Sequence, residues 1–192
     1  MRPRTFVVLA VIILGVSAPF IIRYFYQAGV AKEMQSRAQA HYEQGMALDV
    51  KGEKDKAIAE FTRAVKIDPA YSEAYAARGN VYNKQGLWYQ ALADYNKSIE
   101  ADPKNARAYN NRAIVHAALN ESIEAMEDFN KAIVLDPKYG DAYFNRSVGF
   151  FKLKDYKKAL DDVHKASDNG VLIPDGYYTK LKALAAQASP QK

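Results

Sequence analysis

The sequence predicts an all-α fold built from a repeated helical hairpin, with a membrane-spanning helix before it. Two observations predict this. The dipeptide Asp-Pro recurs every 34 residues, at 68–69, 102–103 and 136–137, and small and aromatic residues recur between these pairs in the same register. In addition, residues 6–22 form an uncharged, mostly apolar run. A fixed period of this length is typical of stacked units, none of which buries its apolar face alone.

Five sets of aligned positions define the repeat. Small residues are expected where two helix axes approach closely, because a larger side chain would push the helices apart. Each Asp-Pro pair is expected to end the second helix of a hairpin, since the residue before a proline is disfavoured in the α region. The aligned sets are His41, Tyr75 and Tyr109; Gly45, Gly79 and Ala113; Ala57, Ala91 and Ala125; Phe61, Tyr95 and Phe129; and Ala64, Ser98 and Ala132.

The turn inside each hairpin is also indicated by the sequence. Gly52, Gly86 and Asn120 share one register, which Lys154 occupies in the fourth copy. Glycine and asparagine tolerate a left-handed backbone conformation, so we expect a tight turn of that kind here. The predicted helix N-caps are Ser72, Asn105 and Asp155.

Together these positions resemble the tetratricopeptide repeat, whose aromatic-Gly-Tyr-Ala-aromatic-Ala-Pro skeleton they match. The resemblance implies a right-handed α-solenoid of helix-turn-helix repeats, with three full repeats and a degenerate fourth. The fourth copy departs from the pattern because Val163 replaces the aromatic residue and Val171 replaces the proline. The copy at 72–105 matches most closely, through Tyr75, Gly79, Tyr82, Ala91, Tyr95 and Pro103.

The chain is expected to end in a capping helix, because a stack with an open apolar end needs a lid. Tyr178, Leu181, Leu184 and Ala185 share one helical face there. The predicted segments are an N-terminal transmembrane anchor (1–26), a helical lead-in (27–37), repeat 1 (38–71), repeat 2 (72–105), repeat 3 (106–139), the degenerate repeat 4 (140–173) and the capping helix (174–188).

The apolar run at 6–22 has two interpretations. Flanking arginines and the aromatic residues 24–26 favour an uncleaved membrane anchor. A cleaved signal peptide is the alternative, with small residues at 16–18, although Pro19 is a poor residue to follow a cut. The arginines before the run favour a cytoplasmic N-terminus, with the repeats on the extracytoplasmic (periplasmic) side.

The distribution of charge argues against nucleic acid as a partner. The formal net charge is +5, but residues 1–37 carry five basic side chains and one acidic one, and residues 38–192 carry 22 basic and 21 acidic side chains. A nucleic-acid-binding face needs a basic stripe, and no repeat has one. The chain also lacks cysteine, so disulfides and thiolate metal ligands are excluded.

Chemistry-bearing motifs are missing from the sequence. His41 and His116 occupy core registers, and His164 near Asp161 is not a metal site without further ligands. The adjacent carboxylates Asp161-Asp162 and Glu127-Asp128 are interpreted as solvated charge. No phosphate-binding glycine loop or nucleophile motif is present, so we expect neither an enzyme nor a cofactor or metal.

The family resemblance implies that first helices line a concave peptide-binding groove. Asparagine lowers helix propensity but offers both a donor and an acceptor to a peptide backbone. The alternative is that the phenylalanines are covered by the capping helix and the asparagines are neutral. The predicted groove residues are Asn80, Asn83, Lys84, Arg107, Asn110, Asn111, Ile114, Phe144, Asn145, Val148 and Phe151.

Many relatives that bind chaperone tails clamp a C-terminal carboxylate with two Lys, one Arg and two Asn. Mapped onto repeats 2 to 4, that pattern falls on Ala76, Asn80, Asn111, Asp141 and Asn145, so every basic residue is missing. No carboxylate-clamp chaperone tail is therefore expected as a partner. The sequence predicts a membrane-anchored scaffold that binds an extended peptide or a partner helix. The alternatives are a homo-oligomeric spacer or assembly factor, and a secreted or periplasmic repeat protein with a cleaved signal peptide.

Overall fold

A computed structural model of the chain describes residues 18–188, apart from the side chains of residues 18–22, 24 and 25. Within that range the structure is all-helical, as predicted. Connections of three to six residues join successive helices. The helices are α1 (Ala18–Val50), α2 (Lys54–Ile67), α3 (Ser72–Lys84), α4 (Trp88–Ala101), α5 (Ala106–Ala118), α6 (Ser122–Leu135), α7 (Gly140–Lys152), α8 (Tyr156–Asp168) and α9 (Asp175–Gln187).

The chain divides after Ala70 into two compact units. In the first unit α1 packs against α2. In the second unit α3 pairs with α4, α5 with α6, and α7 with α8, and each hairpin also packs against the next through α4–α5 and α6–α7. Helix α9 packs on α8 and ends the series.

The turn inside each hairpin has the predicted left-handed residue. The φ angles are +79° at Gly52, +74° at Gly86, +63° at Asn120 and +62° at Lys154. Lys154 adopts this conformation despite its Cβ, and the backbone N–H groups of Lys154 and Asp155 donate to the carbonyls of Phe151 and Phe150 at 3.0 Å. The prediction for this register is confirmed in all four copies.

Two of the three predicted N-caps are confirmed. The side chains of Asn105 and Asp155 each accept a hydrogen bond from the backbone N–H three residues later. Ser72 is not a cap, because α3 already includes it and its hydroxyl lies 2.9 Å from the carbonyl oxygen of Ser98. The cap prediction failed here since a buried partner on α4 competes for the same hydroxyl.

The Asp-Pro pairs end the second helices as predicted. Asp68, Asp102 and Asp136 are all extended, and the carboxylate of each accepts a bond of 2.9–3.0 Å from the backbone N–H two residues later. The aspartate thus stabilises the turn that the proline initiates.

Close approach of the two helices explains the small residues of the repeat. A Cβ added to Gly45 would lie 2.7 Å from the ring of Phe61, and one added to Gly79 would lie 2.9 Å from the ring of Tyr95. Ala57 and Ala91 on the facing helices are fully buried. The packing of the hairpins therefore depends on these positions remaining small.

Helix α9 covers the apolar end of α8. Leu181 is fully buried in a cluster with Ala159 and Val163, and Tyr177 and Tyr178 pack against that cluster. Residues 6–17 of the predicted anchor lie outside the described part of the chain. Over residues 18–188, no helix combines the length and apolar character that a membrane crossing requires.

Ala125→Leu should destabilise the second unit. Ala125 is 3% exposed and packs with Ala113 and Phe129, so the three extra heavy atoms of leucine cannot be accommodated without strain. We expect a loss of about 1–3 kcal/mol in the free energy of unfolding. Ser122→Leu, at an exposed position one turn earlier, is the control and should cost far less. Equal denaturant midpoints would contradict the packing described.

Candidate ligand-binding groove

The face predicted to bind a ligand is formed by α3, α5 and α7, the first helices of their hairpins. Helix α3 contacts α5, and α5 contacts α7, so consecutive first helices lie side by side in the second unit. All eleven predicted groove residues belong to these three helices.

Four asparagines on this face are joined by hydrogen bonds and are called the asparagine ladder: Asn80, Asn110, Asn111 and Asn145. The amide of Asn145 donates to Asn110 Oδ1 at 3.0 Å, and the amide of Asn110 donates to Asn111 Oδ1 at 3.1 Å. The amide of Asn111 donates to Asn80 Oδ1 at 2.9 Å. The ladder therefore crosses all three first helices.

Two tyrosines outside the first helices hold the ladder in place. The hydroxyl of Tyr95 on α4 donates to Asn80 Oδ1 at 2.8 Å, and the amide of Asn110 lies 3.3 Å from the Tyr139 hydroxyl. Burial raises the pKa of both phenols, with a further rise from Asp94 for Tyr95. Both tyrosines thus remain neutral hydrogen-bonding groups at any physiological pH.

The ladder belongs to the fold as well as to the surface. Asn110 is only 2% exposed, which corrects the prediction that it faces a ligand. Its buried oxygen depends on the amide of Asn145, so Asn145 cannot be replaced without leaving a buried acceptor unpaired. Asn80, Asn111 and Asn145 are half-buried and reach the surface.

The surface asparagines keep hydrogen-bonding capacity for a ligand. The Oδ1 atom of Asn80 accepts two bonds, whereas its amide group makes none within the described residues and has two free donors. The Oδ1 atom of Asn145 is a free acceptor beside an amide that already donates once. The ladder thus presents donors on α3 and an acceptor on α7, both fixed in position before any ligand arrives.

The aromatic residues of α7 are packed against α9. The ring centroid of Tyr177 lies 5.8 Å from that of Phe144 and 5.6 Å from that of Phe151. The ammonium of Lys180 lies 5.6 Å from the ring centroid of Phe151, within the range of a cation–π contact. The sequence left open the alternative that the capping helix covers these phenylalanines. The contacts with Tyr177 favour that alternative over an open groove for both Phe144 and Phe151.

The other predicted groove residues differ in their surroundings. Ile114 packs against the Ala113, Ala125 and Phe129 cluster, so part of its side chain belongs to the hairpin core. Val148 is half-buried on α7. Around the ladder, Asn83 is half-buried and Lys84 and Arg107 are exposed.

Three buried ion pairs were not predicted from the sequence. Each joins an arginine on a first helix to an aspartate sixteen residues later on the second helix, with both guanidinium–carboxylate bonds between 2.7 and 2.8 Å. The prediction that Asp128 and Asp162 carry solvated charge is wrong, since they are 6% and 3% exposed. The pairs are Arg78–Asp94, Arg112–Asp128 and Arg146–Asp162.

The arginines also connect neighbouring hairpins. Arg112 donates to Asn96 on α4 at 2.7 Å, and Arg146 donates to Asn130 on α6 at 2.6 Å. The hydrogen bonds to Asp128 raise the pKa of Arg112 above its already high value. A recurrence of Arg and Asp at a spacing of sixteen, in three copies, is the sequence signal that could have found these pairs.

The histidines have structural partners. His41 Nδ1 lies 2.7 Å from the buried carboxylate of Glu60. Glu60 has the same repeat register as Asp94, the aspartate of an arginine–aspartate pair. His116 Nδ1 lies 2.6 Å from Glu121, and His164 lies beside the ring of Tyr178. Between residues 18 and 188, no cluster of three or more potential ligands is arranged to hold a metal ion.

The geometry defines a class of protein: a scaffold of stacked helical hairpins with a polar face on its first helices. Two family models match the sequence, one described as TPR repeat at residues 51–86 and 79–120, and one described as tetratricopeptide repeat at residues 106–139. Residues 51–139 of the chain are therefore repeats of the tetratricopeptide family. Repeats of this family form protein–protein interaction scaffolds, and the fold is typically non-enzymatic.

Solved structures agree with this fold. The Arabidopsis OM64 TPR domain is 27% identical and has a TM-score of 0.59, over 60% of this chain and 96% of that one. Pseudomonas aeruginosa pilF is 20% identical with a TM-score of 0.69, over 83% and 80%. The first TPR of Spaghetti (RPAP3), bound to the HSP90 peptide SRMEEVD, is 21% identical with a TM-score of 0.54, over 70% and 93%. Among curated proteins, none matches the sequence.

Asp128→Ala should be strongly destabilising. It leaves the guanidinium of Arg112 half-buried without its carboxylate, and removing one member of a buried pair costs about 3–5 kcal/mol. The adjacent Glu127→Ala is the matched control, because Glu127 is exposed and should change stability by less than about 0.5 kcal/mol. Chemical denaturation of both variants is the measurement. Similar losses in the two would show that the pair contributes nothing.

Proposed function

We propose that the protein is a membrane-anchored scaffold that holds an extended peptide segment of a partner along the first helices of its second unit. The asparagine ladder is the observation that carries this proposal. It offers fixed amide donors and an acceptor on a half-buried surface, and amides bond to a peptide backbone whatever its side chains. Because the ladder is already ordered by its own hydrogen bonds, binding a ligand would not cost the conformational entropy of ordering these side chains.

The chemistry of the ladder favours a neutral backbone over an acidic chain end. A structural neighbour binds an HSP90 peptide, SRMEEVD, which is rich in carboxylates. In this chain Ala76 and Asp141 stand at two positions where the carboxylate-clamp pattern requires basic residues. An exposed aspartate on α7 would repel a terminal carboxylate, so we do not assign that ligand class here.

Asn80→Asp should weaken peptide binding without disturbing the fold. Aspartate keeps the oxygen that accepts from Tyr95 and Asn111, but it replaces the two free donors with a second acceptor. A peptide carbonyl would then face a carboxylate, and the unpaired groups should lower affinity by about tenfold or more. The measurement is titration calorimetry with a peptide selected from a random display library against the full-length chain.

Asn130→Asp is the matched control for this experiment. It makes the same change of charge on α6, where the carboxylate can still accept the hydrogen bond from Arg146. Both variants should melt near the temperature of the parent chain. If Asn80→Asp binds the peptide as well as Asn130→Asp does, the ladder is not the binding surface.

The membrane part of the proposal rests on the apolar run at 6–22. Helix α1 begins at Ala18, inside that run, and continues without a break to Val50 in the first hairpin. A span ending near Ile22 would therefore join the first repeat through one continuous helix. The flanking arginines favour a cytoplasmic N-terminus, with the repeats on the extracytoplasmic side.

The anchor should be retained in the mature protein. N-terminal sequencing of the chain purified from membranes should find a start before the apolar run, because Pro19 blocks the nearest small-residue cleavage site. Extraction with high salt is the control, since a peripheral protein held by charge would be released and an anchored one would stay. A mature chain that begins at or after Pro19 would refute the anchor.

A further inference from the structure

A cleft between α6 and α7 lies next to the asparagine ladder. Its lining includes Asn145, a member of the ladder, together with Val148 of α7 and the apolar side chains of Met126 and Phe129 of α6. Lys152, the last residue of α7, and Leu153, the first residue of the turn that follows, also line it. The cleft is therefore a continuation of the proposed peptide-binding face toward the turns of the hairpins.

The preceding hairpin shows how this position is filled elsewhere in the chain. Gly149 has the same repeat register as Val115, and Val115 is fully buried against Ala91 and Tyr95. Ser122 has the same register as Trp88. Between α6 and α7 a hydrogen atom thus takes the place of the buried valine side chain. At the first residue of the second helix, a hydroxymethyl group takes the place of the indole of Trp88, which is 39% exposed.

The glycine is not required by the backbone. Gly149 lies within α7, where glycine costs about 1 kcal/mol of helix stability relative to alanine. A Cβ at this position would meet only the sulfur of Met126, at 2.9 Å. That atom is the end of a flexible side chain, so it could move aside. A Cβ on Gly79, by contrast, would lie 2.9 Å from the fully buried ring of Tyr95.

A positive charge lies at the cleft, and it indicates which kind of residue a ligand should carry next to the side chain that fills the cleft. Lys152 is exposed, and within residues 18–188 it forms no ion pair. The corresponding residue of the preceding hairpin is Ala118, so the cation accompanies the open cleft. A carboxylate next to the bound side chain would complement it.

We propose that this cleft, which we call the Gly149 cleft, binds one aliphatic side chain of the partner segment, of the size of leucine, isoleucine or methionine, with an acidic residue next to it in the partner. This proposal rests on the peptide-binding function proposed above. The aliphatic group replaces the atoms that Val115 supplies in the preceding hairpin, and Met126 is the movable wall that admits it. The ladder binds the backbone, and the Gly149 cleft selects the sequence.

The test uses the full-length chain in detergent micelles and a display library of random linear peptides. Peptides selected by the parent chain should be enriched in an aliphatic residue with Asp or Glu beside it. Gly149→Val restores the side chain of the preceding hairpin and should lower affinity for these peptides by about tenfold or more. Lys152→Ala should remove the preference for the acidic neighbour.

Gly176→Val is the matched control, because it is the same substitution in a helix where a Cβ would meet nothing within 4 Å. It should leave the affinity unchanged. If Gly149→Val binds the selected peptides as tightly as this control while Asn80→Asp weakens them, the cleft is refuted and the groove stands. If the parent chain selects no peptide, the cleft and the proposed function are both refuted.

Discussion

The buried arginine–aspartate pair in each hairpin of the second unit fixes how the first helix of that hairpin is rotated about its own axis. Arg112 and Arg146 are bound by two hydrogen bonds to the second helix of their own hairpin and by a third to the preceding one. A planar guanidinium held at three points leaves little rotational freedom to the helix that carries it. Every other feature of the first-helix face depends on this constraint.

The asparagine ladder is one consequence. Asn111 and Asn145 directly precede Arg112 and Arg146, and adjacent residues of an α-helix point about 100° apart. When the arginine is directed toward the second helices, the asparagine is directed along the row of first helices, where its amide donates to an asparagine of the preceding repeat. The ion pairs and the ladder are therefore two sides of one arrangement.

The ladder combines two tasks that usually fall to different residues. Its inner member, Asn110, is buried and satisfied by its neighbours, so it contributes to the packing of α5 against α7. Its outer members keep free donors and acceptors at the surface. A row of lysines alone could only donate and a row of glutamates alone could only accept, so neither could bond from helix to helix as the asparagines do.

A repeat protein can recognise a specific partner only at positions where one copy differs from the others. Repetition of the same core residues produces equivalent hairpins, and equivalent hairpins alone provide no position that differs from the next. The register that holds Val115 in the third copy holds Gly149 in the fourth, which breaks this equivalence at the interface between α6 and α7. The carboxylate–guanidinium bonds continue unchanged through that copy, so the fold tolerates the break.

The sequence alone determined the all-α fold, the hairpin turns and the close-packed small residues. These follow from local rules: the proline and glycine positions restrict the backbone, and Gly45, Gly79 and Ala91 are small because the period places them between helices. Only the tertiary structure decided that Asp128 is buried, that Asn110 is a structural residue and that Phe144 is covered by Tyr177. The partners of these side chains lie sixteen or more residues away, and hydrogen bonds and ring contacts at that separation depend on how helices are rotated against each other. The residue types and their spacing along one helix do not determine how that helix is rotated against its neighbours.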